Sequence, residues 1–138
     1  MKKLALLIVF LACMPLALGI ETHTIKYSVQ DDMVEADHII STHNETSLAL
    51  LLPEDAYDFS VSVDNKASGF RLKRTGQNKN VSINLSQGAH DVSVEYRTGA
   101  YLEKGRKAYF VGQVRAEHAA DRLSVSLALP AGVLLARP

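Results

Sequence analysis

The stretch Arg122-Leu123-Ser124-Val125-Ser126-Leu127-Ala128-Leu129 decides the fold. Leu123, Val125, Leu127 and Leu129 alternate with Ser124, Ser126 and Ala128. A period of two sends large apolar side chains to one face of a strand and small ones to the other. His90 to Arg97 repeats the pattern, with Val92, Val94 and Tyr96 against Asp91, Ser93, Glu95 and Arg97. Asn80 to Ser86 does so with Val81, Ile83 and Leu85, and Tyr57 to Val63 with Tyr57, Phe59, Val61 and Val63. Weaker strand patterns run over 24–30, 33–41, 46–52, 69–75 and 107–115, and 116–120 reads as a short helical turn. Turn-forming clusters separate them, among them Pro53-Glu54-Asp55, Asp64-Asn65-Lys66 and Ser86-Gln87-Gly88. Strands recurring roughly every 8–12 residues predict an all-β chain, an antiparallel β-sandwich of about eight to nine strands, immunoglobulin-like or jelly-roll-like.

The N-terminus carries a different signal. Lys2 and Lys3 precede the apolar run Leu4 to Ala12, and Pro15 and Ala17-Leu18-Gly19 follow it. A basic start, an apolar middle and small residues at the end form a secretory signal peptide over residues 1–19. The stretch falls short of the ~20 apolar residues that a spanning helix needs. An uncleaved signal anchor and a lipoprotein signal ending at Cys13 stay as alternatives. The domain expected after cleavage is 20–138, either a free secreted unit or the start of a longer membrane-anchored protein that continues beyond Pro138.

Of 138 residues, 119 remain once the first 19 are removed, enough for one ordinary core. Loss of Lys2 and Lys3 takes the 15 basic residues to 13 against 15 acidic ones. That balance gives no electrostatic reason to expect nucleic acid or an anionic membrane surface. The membrane is reached only through a signal anchor or a further C-terminal segment. The single cysteine, Cys13, lies inside the signal, so packing and not cross-linking must hold the domain.

Few residues carry recognisable chemistry. Asn44, Asn80 and Asn84 head Asn-x-Ser/Thr sequons and are candidate glycosylation sites. Inward Val81, Ile83 and Leu85 would turn Asn80 and Asn84 outward. Asp31, Asp32, Glu35 and Asp37 cluster beside His38, a set that would suit calcium or acid–base work. The cluster lacks the regular ligand spacing and the glycine of a calcium loop, so it reads as a solvated turn and strand face. His38 falls on the apolar face with Val34, Ala36 and Ile40. The five histidines show no close zinc-type spacing, and no cofactor or metal is expected. No serine sits in a Gly-x-Ser-x-Gly elbow, and nothing in the spacing indicates a Ser–His–Asp site. Tyr27, Tyr57 and Tyr96 read as inward. Tyr101 stands in the loop from Gly99 to Lys107 with Lys104, Arg106 and Lys107, which makes that loop either a contact surface or a solvated connection.

The segment from Leu85 to Arg97, read as Leu-x-x-Gly-x-His-x-Val-x-Val-x-Tyr, resembles a strand of extracytoplasmic β-sandwich domains in predicted archaeal and bacterial membrane proteins. Leu129-Pro130-Ala131-Gly132 is similar to the turn that follows such a sandwich. The resemblance implies an envelope location and a sandwich, and supplies no catalytic residue. The expectation is therefore an exported, secreted or cell-envelope module without enzymatic activity, acting in interaction, sensing or structure with a protein or glycan partner. One alternative is a glycan- or peptide-binding module using the Tyr101 loop or a strand edge. The other is a small hydrolase or metal-dependent enzyme at the cluster from Asp31 to His38.

Overall fold

The computed structural model describes residues 19–30, 33–99, 102–104, 108–110 and 120–128. Residues 1–18 of the signal segment, Asp31 and Asp32, residues 116–119 of the expected helical turn, and the Leu-Pro-Ala-Gly turn lie outside them, while Gly19 opens the first strand and Ala120 the last. The described residues form an all-β sandwich of two sheets with no helix. The larger sheet contains β1 (Gly19–Val29), β2 (Val34–His43), β4 (Tyr57–Val63), β5 (Lys66–Ala67), β8 (Ala89–Thr98) and β11 (Ala120–Ala128), in the order β11-β1-β2-β8-β4-β5. The smaller sheet contains β3 (Ser47–Pro53), β6 (Arg71–Thr75) and β7 (Asn78–Asn84), in the order β3-β7-β6. A separate hairpin joins β9 (Leu102–Lys104) and β10 (Ala108–Phe110). The expected loop around Tyr101 is therefore in part a strand.

The alternation read in the sequence is the burial pattern of the sheets. In β2, Val34, Ala36, His38, Ile40 and Thr42 are buried while Glu35, Asp37, Ile39 and Ser41 between them are half-buried. Val92, Val94 and Tyr96 of β8 are buried beside them, with Asp91 and Glu95 exposed on the other face. Leu48, Leu50 and Leu52 of β3 and Val81 and Ile83 of β7 close the core from the other side. Full burial of such side chains stabilises by about 1.5–3 kcal/mol each before the entropy of ordering them is subtracted.

Three expectations need correction. The sheets are not purely antiparallel, because β11 pairs with β1 in parallel, with Ile25 opposite Val125. The expected apolar face of β11 exists, but Leu123 is 53% exposed and Val125 51%. They share the inner face with His23 and Ile25, at the edge of the larger sheet. Tyr57 is not inward but 45% exposed. The register of β4 against β8 shifts between Tyr57 and Ser60, and Asp58 takes a φ of 53°. A bulge of this kind interrupts the period of two, so Tyr57 no longer follows Val61 into the core.

Candidate functional site

A cleft of about 640 Å³ opens on the larger sheet. The outward positions of adjacent strands build its polar wall. Ser126, Lys26, Asp37 and Glu95 stand in one cross-strand row, and Ala128, Ser28, Glu35 and Arg97 in the next. Tyr27, Ala36, Tyr96 and Leu127 also line it, and Asp58 joins from the bulge of β4. Arg97 donates from Nε and Nη2 to Glu35 Oε1 at 3.1 and 2.9 Å, and from Nη1 to Asp58 Oδ2 at 3.4 Å. Ser93 Oγ donates to Asp37 Oδ1 at 3.1 Å. Among the described residues, Lys26 and Glu95 form no ion pair. Carboxylates outnumber cations on the lining, so its field is negative.

Under this face runs a buried polar chain. His23 of β1 and His38 of β2 are 2% and 3% exposed. His23 Nε2 lies 3.0 Å from His38 Nδ1, and His38 Nε2 lies 3.2 Å from the Tyr96 hydroxyl of β8. Neutral rings satisfy both contacts with the protons ordered in either direction. The buried polar side chains among the described residues are these histidines, Thr42 and Thr98, with the hydroxyls of Tyr27 and Tyr96; none is a carboxylate. A proton on the chain would meet no buried counter-ion among the described residues. Burial, and then the charge of His23, push His38 down to about 3, and burial lowers His23 as well.

A second polar cluster occupies the opposite end of β8. His90 Nδ1 lies 2.7 Å from Asp64 Oδ2, and His90 Nε2 lies 3.1 Å from Ser86 Oγ and 2.9 Å from the Ser86 carbonyl. Asp64 and Asn65 both take positive φ, 50° and 62°, in the two-residue turn between β4 and β5. That is the backbone of a type I′ hairpin, which Asn and Asp tolerate. The Asp91 N–H donates to Asp64 Oδ1 at 2.9 Å and the Asp64 N–H to the Asp91 carbonyl at 2.8 Å, which locks the carboxylate in place. Ser86 lies in the crossing from the smaller sheet to the larger. Gly88 makes that crossing with a φ of 117°, closed to L side chains, while its carbonyl accepts from the Asn44 N–H. Asp64, and then the Ser86 carbonyl, raise the pKa of His90. His90 and the Asp91 N–H lower that of Asp64.

The residues singled out in the sequence scatter. Glu35 and Asp37 point outward into the cleft wall, whereas His38 points into the core, because the pleat sends neighbours to opposite faces. They do not converge. Asn84 is exposed, Asn80 is half-buried, and Asn44 sits in a bend with a φ of 57°. Tyr101, Arg106 and Lys107 lie outside the described residues, and Lys104 falls in β9. The pairing of His23 with His38 and the meeting of Asp64, Ser86 and His90 were not anticipated. Stepping the Ile25/Tyr27 alternation back by two reaches His23, a signal that was there to be used. Among the described residues, no group of three or more His, Cys, Asp or Glu side chains is arranged to hold a metal ion.

No family model matches the chain, and no curated protein matches it. Solved structures give partial likenesses. A two-domain M1 zinc metallopeptidase, an E323A mutant bound to L-arginine, is 11% identical with a TM-score of 0.51, over 83% of this chain and 34% of that one. Leukotriene A4 hydrolase from Saccharomyces cerevisiae is 13% identical with a TM-score of 0.48, over 59% of this chain and 15% of that one. Aminopeptidase A from Legionella pneumophila is 11% identical with a TM-score of 0.48, over 65% and 12%. The chain thus spans about a third or less of these proteins. At such identities the first likeness speaks to fold alone, and the other two carry no argument.

Proposed function

We propose that this chain is an exported, extracytoplasmic β-sandwich module of the cell envelope that binds a glycan or peptide and does not transform it at the cleft. The observation that carries this reading is the cleft itself. About 640 Å³ is the size of a small-molecule or peptide side-chain site. Its floor is a rigid sheet, and its wall presents hydrogen-bonding groups whose spacing the strand register sets. Fold likeness adds nothing to the choice, since sandwiches serve many functions. The test is a screen of the labelled full chain on glycan and peptide arrays, with a Lys26→Ala/Glu95→Ala variant in parallel. Retention of a ligand that weakens at least tenfold in the variant supports the reading. Retention unchanged by the variant, or no retained ligand, overturns it.

A second reading uses β11. Among the described residues it forms one edge of the larger sheet and exposes Leu123 and Val125, so an extended peptide pairing along that edge would also cover apolar surface. A peptide whose retention is lost in Leu123→Lys but not in Lys26→Ala/Glu95→Ala would favour it.

A further inference from the structure

Asp64, His90 and Ser86 lie about 23 Å along β8 from Arg97, at ~3.3 Å per residue, so they stand apart from the cleft. Their order is that of an orienting carboxylate, a base and a nucleophile. Asp64 Oδ2 sits 2.7 Å from His90 Nδ1, and His90 Nε2 sits 3.1 Å from Ser86 Oγ. Two of the geometric requirements of an activated serine are thereby met, nucleophile to base and base to orienter. The orienter is itself held, because the Asp91 N–H fixes the other oxygen of Asp64 at 2.9 Å. The serine is accessible, since Ser86 is exposed while His90 beside it has a side chain only 13% exposed. From this geometry we propose that Ser86 is a reactive nucleophile toward small activated carboxylic esters, with His90 as its general base.

The chemistry uses His90 in its neutral form. Asp64 holds a proton on Nδ1. The 2.9 Å contact of Nε2 with the Ser86 carbonyl fits a second proton on Nε2. Once that proton leaves, Nε2 is repelled by the carbonyl and accepts from the Ser86 hydroxyl, 3.1 Å away. Ser86 Oγ bonds to the ester carbonyl carbon as its proton passes to Nε2. The adduct collapses with cleavage of the bond to the leaving oxygen, which takes the proton from Nε2. Water then attacks the acyl group by the same route, releasing the acid and restoring Ser86. When His90 is protonated, Nε2 donates instead to the Ser86 carbonyl at 2.9 Å, and the hydroxyl has no base. Among the described residues the charge acting on the ring is that of Asp64, on which Lys66 acts in turn. Reactivity should therefore rise with pH through the titration of His90, which Asp64 places above 6.5.

The experiment incubates the full chain with p-nitrophenyl acetate from pH 5 to 9, reading nitrophenol release and locating acetyl adducts by peptide mass mapping. The expected result is one adduct on Ser86, a rate that climbs with deprotonation of His90, and a loss on the order of 100-fold in Ser86→Ala. His90→Gln should remove the same factor and flatten the pH profile. Ser86→Ala leaves the Asp64–His90 pair intact, and a wild-type fluorophosphonate adduct mapped to Ser86 needs no variant. Acetylation confined to lysines, no fluorophosphonate adduct on Ser86, or a rate unchanged in Ser86→Ala or His90→Gln overturns the proposal.

Discussion

Two histidine clusters in this sandwich solve opposite problems. In the core, His23 and His38 face each other and Tyr96 with no buried carboxylate among the described residues, so desolvation holds them neutral. At the end of β8, His90 faces Asp64, whose side chain is 52% exposed, and its hydrogen bonds to the Asp64 carboxylate and then to the Ser86 carbonyl outweigh desolvation. One residue type thus becomes a neutral hydrogen-bonding spacer in one place and a clamp whose charged form is favoured in the other. The distance to a carboxylate and to water decides which.

The comparison breaks most severely at His38. Replacing it with alanine removes a buried ring and takes a hydrogen-bonding partner from both His23 and Tyr96. Urea unfolding at pH 7 should show a loss of about 3 kcal/mol. The next effect is acid sensitivity. Unfolded His38 binds a proton near its ordinary 6.5, while the folded residue does so only near 3. Between those values the unfolded state holds more protons, so stability is complete above 6.5 and falls with decreasing pH. The expected slope is about 1.4 kcal/mol per pH unit for this one proton, read from urea midpoints at pH 6.5, 5.5 and 4.5. A flat profile would contradict a neutral buried chain.

The smallest effect belongs to the surface cluster, and its sign is reversed. With a raised folded pKa, His90 contributes stability that is complete below 6.5 and is lost as pH rises through that pKa. Asp64→Asn should return the His90 titration, followed by NMR, toward 6.5 from above. Its melting temperature should lie below that of the wild type at pH 6, and the gap should narrow at pH 9.

How much of this was legible can be judged from particular residues. The inward position of His38 is legible, because Val34, Ala36 and Ile40 share its parity, and it lies on that face. The outward turn of Tyr57 is not legible, because a bulge with Asp58 at positive φ leaves no trace in an alternating apolar pattern. The cluster of Asp64, Ser86 and His90 was hidden for another reason. Its members come from a hairpin turn, a crossing between sheets and the start of a strand, and only the packing of those elements joins them.

The all-β class, the strand positions and most core faces follow from periodicity, which each strand declares locally. Which strands are neighbours, that β11 runs parallel to β1, and which histidine meets a carboxylate were decided by tertiary structure alone. Alternation records only which side of a strand is apolar, whereas pairing and register depend on contacts between residues far apart in the chain.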